Sequence, residues 1–395
     1  MLATDQAPQP LALYFPWVRE LTGAPRSALN LLLNLKSDRW RPFLITDRVN
    51  ALSEEVERAG FDVELLPLPP LLNVRNHEGL RFRWASRAAA LLELRRHHRK
   101  LAALLVRRHT KLLWARNAKG VLYAAPGARA ARCRYVWDVG LEDPSEGALY
   151  FLHSWALRQA DAIVTQAPRQ PREIFGERRR RRFAHKFHCL PPGIDPLRAS
   201  SLVRASEQRA LDGKVMLSVG TIHPRKNQRL FLEAALPLLR EHPDWRIQFA
   251  GSPLDERYAR GLSELAAAAN VAERVEFLGW RDDVPELMGR ARILVVSSDN
   301  EGVPQVVREA MFSGMAVVSS AVGGVPDVVD PGRTGLLYPR REVAALREHL
   351  KTLIENPNRI VSLGQAARSH AREFFSLERW CASYDDLLWS LAGAR

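Results

Sequence analysis

Short apolar runs alternate along this chain with longer stretches whose apolar residues recur every three or four positions. That alternation predicts β-α-β units and parallel sheets. In the first half, Leu11–Phe15, Pro42–Asp47, Asp62–Leu66, Lys111–Ala115, Tyr135–Val139 and Ala162–Thr165 read as strands. Ser27–Lys36, Leu52–Ala59 and a long basic stretch, Phe82–Arg108, read as helices. The segment from His188, HCLPPGID, carries Pro-Pro-Gly and reads as a linker or turn. The second half repeats the pattern. Val215–Gly220, Arg246–Gly251, Val275–Gly279, Ile293–Ser298 and Ala316–Ser320 are strands, most of them ending in Gly or Ser. Helices are expected at 229–240, 255–270, 284–290, 342–354, 360–374 and 377–391. The fold class is therefore α/β, with two Rossmann-like, doubly wound domains and a ligand cleft between them. The boundaries fall at 1–192 and 193–375, with 376–395 a C-terminal helix packing back on the first domain.

Charge changes the picture more than composition does. Residues 1–195 hold 32 Lys and Arg against 19 Asp and Glu, whereas residues 196–395 hold 26 against 25. The excess belongs to the N-terminal half, which points to an anionic partner there or to an Arg-rich composition. The start, MLATDQAPQP, has neither the basic nor the apolar region of a signal peptide. The run from Leu29 to Lys36 is too short and polar to span a bilayer. Cys133, Cys189 and Cys381 are odd in number and form no C-x-x-C pair, so neither a zinc site nor a disulfide framework is indicated. A cytoplasmic protein is expected.

The strongest chemical pattern is DNEGVPQVVREAMFSGMAVVSSAVGGVPDVV, from Asp299 to Val329. A strand ends just before it and a helix starts near Pro304. Gly302 and Val303 lie where backbone N–H groups and the helix dipole suit a phosphate or a sugar hydroxyl. Glu301 precedes the helix and Glu309 lies on it. Two carboxylates so placed can accept hydrogen bonds from the diols of a sugar and a ribose.

The spacing Glu301-x7-Glu309, followed by Ala310-Met311, Gly314 and GGVPDVV, resembles the signature of retaining glycosyltransferase family 4, the group 1 glycosyl transferases. SVGTIHPRKNQRLFLEA from Ser218, VEFLGWRDDVPELMGRARILVVSS from Val275 and CLPPGID from Cys189 extend the resemblance across residues 186–340. It implies the GT-B fold and a nucleotide-sugar donor held by the second domain. It implies that Lys226 neutralises the donor pyrophosphate, that Glu301 contacts the donor hexose and that Glu309 binds the ribose. Gly220 is followed by Thr221 where many members carry Arg, and Arg225 is the residue available to compensate. Ser252 and Trp280 resemble base-binding loop residues, with Trp280 either stacking on a base or packing. Gly23, after the first strand, resembles the glycine loop that faces the donor phosphates. Asp138 stands near the usual place of a His; it, Glu142 or Asp143 contacts a sugar hydroxyl, or Asp138 caps a helix.

The resemblance further implies retention by front-side attack, the leaving phosphate taking the acceptor's proton. No protein nucleophile and no Asp-x-Asp motif at a strand end stand out, so no metal and no further cofactor are expected. The expected partners are a nucleotide-sugar donor and a glycan or lipid-linked acceptor, as in cell-surface polysaccharide or glycolipid synthesis. The basic helix from Arg81 to Arg108 mixes nine cations with leucines, which suits an anionic membrane surface on the cytoplasmic side. Two alternatives stand beside this reading. A non-hydrolysing nucleotide-sugar epimerase shares the fold but needs cleft histidines and carboxylates that form no set here. A basic nucleic-acid-binding protein has only Arg178–Arg182 and the basic helix in its favour, and no nucleic acid partner is expected.

Overall fold

The computed structural model describes residues 7–16, 18, 21, 23–69, 84–140, 142, 145–207 and 213–393. The chain divides into two compact units. The first comprises residues 1–166, 171–190 and 378–395; the second comprises 167–170 and 191–377.

The first unit is built on seven strands: β1 (Gln9–Tyr14), β2 (Trp40–Thr46), β3 (Val63–Leu65), β4 (Leu112–Arg116), β5 (Arg134–Asp138), β6 (Ala162–Thr165) and β7 (Phe187–Cys189). They form one parallel sheet in the order β3-β2-β1-β4-β5-β6-β7. Such strands are covered on both faces, which is why β4 and β5 read as nearly unbroken apolar runs. The segment expected as a turn from His188 instead contributes His188 and Cys189 to β7, paired with Val164 and Thr165. An edge strand needs only one neighbour, so the Pro-Pro that follows ends it without blocking it.

A helix not anticipated from the sequence spans Asn117–Ala130, with Pro126 inside it. Proline removes the N–H that would bond the Leu122 carbonyl and normally ends a helix. Here His98 Nε2 lies 3.0 Å from that carbonyl and takes the missing donor's place. The helix Gln228–Glu241 of the second unit solves the same problem. Its Pro237 leaves the Glu233 carbonyl free, and Arg347 Nη2 donates to it at 3.2 Å.

The long basic helix runs Trp84–Arg107; residues 81–83 lie outside the described set. Its leucines divide between two surroundings. Leu101, Leu104 and Leu105 are core, whereas Leu91, Leu92 and Val106 are exposed. The C-terminal helix, Leu377–Gly393, belongs mostly to the first unit. Its buried Asp385 accepts from Trp40 Nε1 at 3.0 Å and from Arg39 Nη1 at 2.6 Å.

The second unit has six strands: β8 (Val215–Val219), β9 (Arg246–Ala250), β10 (Val275–Gly279), β11 (Ile293–Val296), β12 (Ala316–Ser320) and β13 (Leu336–Tyr338). Their order is β10-β9-β8-β11-β12-β13, all parallel. The order reverses between β8 and β11, which makes the carboxyl ends of these two strands the place where an open α/β sheet receives ligands. β13 was not anticipated, being only three residues long.

Candidate donor site

Two loops meet at that switch point. After β8, Gly220 and Thr221 lead into a 3-10 turn, Pro224–Lys226, which His223 caps by accepting from Arg225 N–H at 3.2 Å. Asn227, in the left-handed region at φ 49°, turns the chain into the helix Gln228–Glu241. After β11, Ser297 Oγ donates to the Lys226 carbonyl at 2.9 Å and Asp299 N–H donates to the Arg225 carbonyl at 2.9 Å. The two loops are thus tied by one backbone bond and by the Ser297 hydroxyl.

Lys226 Nζ lies 2.6 Å from Glu301 Oε1, and Ser298 Oγ donates to the same oxygen at 2.6 Å. Glu301 is buried, while the Lys226 side chain is 35% exposed. The ammonium therefore reaches solvent from a buried carboxylate. Gly323 is required beside this pair. Its φ is +52°, and a side-chain carbon there would lie 1.6 Å from the Glu301 carbonyl oxygen. Gly251, at the end of β9, is equally confined: a side-chain carbon would lie 2.1 Å from the Gly220 carbonyl oxygen. Asp299 is gripped by Arg341 and Arg340, which hold its carboxyl below the usual carboxylate range.

The helix Gln305–Phe312 carries Glu309. Pro304 sits just before it with ψ 130°, so it is the flanking residue rather than part of the first turn. The Gly302 carbonyl accepts from Gly324 N–H at 2.9 Å, and Val303 is packed in the core. Glu309 is buried. Its Oε1 accepts from Arg198 Nε at 2.8 Å and from Gln305 Nε2 at 2.9 Å. Arg198, on the helix Pro196–Glu207, is a site residue that the sequence did not reveal. The signal was present in Asp195-Pro196: Asp195 Oδ1 accepts from the backbone of Leu197 and Arg198 and starts that helix. Next to Glu309, Arg308 donates to the carbonyls of Pro192 and Gly193 at 2.7 and 3.0 Å.

Of the remaining expected residues of the second unit, Trp280 is 53% exposed with its Nε1 3.0 Å from Asp282 Oδ1. It is not core, which leaves the indole face available for stacking. The Ser252 carbonyl accepts from Ile222 N–H at 3.0 Å and so ties the loops after β8 and β9. Arg225 is exposed, and its guanidinium is not engaged by any described residue.

In the first unit, Gly23 has φ 53° and opens the helix Ala24–Asn34, with open space around it. Asp138 ends β5. It is 3% exposed, Oδ1 accepts from Gly140 N–H at 3.2 Å, and Oδ2 takes Tyr384 Oη at 2.8 Å with Arg116 at 3.5 Å. Oδ2 thus ties the C-terminal helix to β5 through Tyr384, while Oδ1 bonds the backbone just beyond that strand. Glu142 is also engaged, by Ala118 N–H and by buried His153, whose Nδ1 lies 2.6 Å from Ser145 Oγ. Asp143 lies outside the described residues.

Comparison with known proteins bears on the family and the fold. The family model of glycosyl transferases group 1 matches residues 201–370. The chain is 31% identical over 255 residues to a D-inositol 3-phosphate glycosyltransferase of Nocardia farcinica, covering 60% of this chain and 55% of that one. It is 31% identical over 249 residues to a lipopolysaccharide core biosynthesis mannosyltransferase of Rhizobium leguminosarum, covering 60% and 67%. The chain spans about half the length of the inositol 3-phosphate enzymes it matches. The crystal structure of HepE from Anabaena, in complex with UDP, superimposes with a TM-score of 0.77 at 19% identity, over 97% of this chain and all of that one. That likeness shows the two-domain α/β fold, GT-B. The chain belongs to the group 1 glycosyl transferases.

Proposed function

We propose that this protein transfers a sugar, with retention of anomeric configuration, from a nucleotide-sugar donor to an anionic glycan or lipid-linked acceptor in cell-surface polysaccharide or glycolipid synthesis. The observation that carries the reading is the Lys226–Glu301 pair at the switch point between β8 and β11. When the donor bond breaks, negative charge grows on the departing diphosphate. Lys226 is the cation poised to meet it, and Arg225 supplies a second. Release of Lys226 leaves Glu301 free to accept hydroxyls of the donor hexose, held in place by Ser298. Glu309 reads the ribose, with Arg198 and Gln305 fixing its rotamer. The indole of Trp280 stacks on the base. The leaving phosphate takes the acceptor's proton, so the reaction needs no protein nucleophile and no metal, and catalysis rests on positioning and charge.

The relatives support both substrates. HepE was crystallised with UDP, and the Nocardia and Rhizobium enzymes are named for a phosphorylated polyol and for lipopolysaccharide core. Anionic acceptors suit a first half with a charge excess of 13. No described helix is long and apolar enough to cross a membrane, and we assign attachment to the inner membrane face to the exposed side of the helix Trp84–Arg107. The test of the donor reading is a thermal-shift screen with UDP-, GDP-, ADP- and dTDP-sugars, followed by turnover with the stabilising donor. One donor class raises the midpoint if the reading holds. No shift with any of them overturns it.

A further inference from the structure

A cavity of about 540 Å³ opens in the second unit beside the turn Pro224–Lys226. Its walls include Pro224, Arg229, Asp255, Arg257, Tyr258 and Arg260. The starts of two helices, Gln228–Glu241 and Glu256–Ala268, form it. They are joined there by Arg229 N–H, which donates to Tyr258 Oη at 2.9 Å.

Asp255 Oδ1 caps its own helix by accepting from Tyr258 N–H at 2.9 Å, and Arg229 Nε is 2.7 Å from Glu233. Arg257 and Arg260 have no hydrogen bond or ion pair to any described residue. They are three apart on one helix and so project from the same face. Glu264, one turn beyond Arg260, is likewise unengaged and completes the lining. Gly261 leaves the floor open: a side-chain carbon there would meet nothing within 4 Å.

Two adjacent guanidinium groups match the oxygens of a phosphate, and a free carboxylate matches hydroxyls. The volume is that of a small-ligand site. We propose that this cavity binds a phosphate monoester of a sugar or polyol, at a site separate from the donor's. Arg257 and Arg260 hold the phosphate and Glu264 accepts the hydroxyls. Pro224 is the first residue of the turn that ends in Lys226. Occupancy therefore stiffens the turn that carries the donor's cation, and the ligand tunes the donor step.

The experiment is calorimetry on the full chain with glucose 1-phosphate and with inorganic phosphate, each with and without saturating UDP. One additional site is expected in the presence of UDP. Its affinity falls at least tenfold in Arg257→Ala/Arg260→Ala and is kept in Lys226→Ala. UDP affinity in the double variant stays within twofold of wild type, which shows that the fold is intact. Glu264→Gln weakens glucose 1-phosphate and leaves inorganic phosphate unchanged. Displacement of glucose 1-phosphate by UDP, or equal affinity in wild type and double variant, overturns the proposal. If UDP itself fails to bind, the donor reading fails, while titration of the same variants without UDP still decides this one.

Discussion

Glu301 and Glu309 could be singled out because they lie eight residues apart in one loop and helix, and Lys226 because it ends the turn that follows β8. Their partners could not. Arg198 lies 111 residues from the Glu309 it grips, and Tyr384 lies 246 residues from Asp138. No local pattern announces such pairs, so the bond from the C-terminal helix to Asp138 could not be read from the sequence. Each role has a measurable consequence. Lys226→Ala should lower sugar transfer about a hundredfold, as loss of one charge stabiliser does; turnover equal to wild type would remove Lys226 from the mechanism. Glu309→Gln should weaken binding of free UDP in calorimetry, and Arg198→Ala should do the same by releasing the carboxylate. Equal UDP affinity in both variants would give Glu309 a purely structural part. Asp138→Asn, in contrast, should lower the melting temperature through loss of its hold on Arg116 and Tyr384, with the donor affinity of the purified variant unchanged.

At the scale of elements, the strands were read almost in full, because buried parallel strands are continuous apolar runs bounded by Gly or Ser. The helix Asn117–Ala130 was missed because Pro126 and Gly127 are turn residues in isolation. Tertiary contacts override that preference. His98 supplies the hydrogen bond that Pro126 lacks, and Gly127 lets the helix Trp84–Arg107 approach until a side-chain carbon would lie 3.0 Å from the His98 carbonyl oxygen. His98→Leu should therefore cost about 1–3 kcal/mol by leaving the Leu122 carbonyl unpaired. In a Pro126→Ala background the backbone N–H returns and the cost should shrink. An identical cost in both backgrounds, read from denaturant unfolding, would refute the compensation. The neighbouring His97 makes a prediction for pH. It is buried against Tyr14, with Nε2 3.0 Å from the tyrosine oxygen, and burial together with His98 and Lys100 pushes its pKa from 6.5 down to about 4. The unfolded chain binds a proton at this residue below pH 6.5 while the native state does not. Stability contributed by neutral His97 is thus present above pH 6.5 and lost as pH falls toward 4. His97→Gln, which cannot titrate, should show a shallower fall in melting temperature over that window; parallel curves would exclude His97 as a source of acid sensitivity.

For the whole molecule, the question is what the charge asymmetry does. On the proposed reading the nearly neutral half binds the donor diphosphate, so the donor does not account for the excess on the other. The helix Trp84–Arg107 narrows the answer. Arg107 and Arg108 at its end are neutralised by Glu64 and Asp62, and Leu101, Leu104 and Leu105 are committed to the core. What remains outward is Arg95, Arg96, Arg99 and Lys100, none engaged by a described residue, with Leu91, Leu92 and Val106 about half exposed beside them. Exposed leucines gain nothing from a soluble anion but do gain from the acyl boundary of a bilayer. Each cation near an anionic surface contributes about 1 kcal/mol, so four suffice for reversible docking that salt weakens. The protein should therefore sediment with phosphatidylglycerol-rich vesicles at low salt and be released as salt rises. Leu91→Ser/Leu92→Ser should weaken the association without changing its salt dependence, whereas Arg95→Gln/Arg99→Gln should reduce both. If the wild-type protein stays in the supernatant with anionic vesicles at low salt, the outward arginines merely solvate the helix and the acceptor is a soluble one.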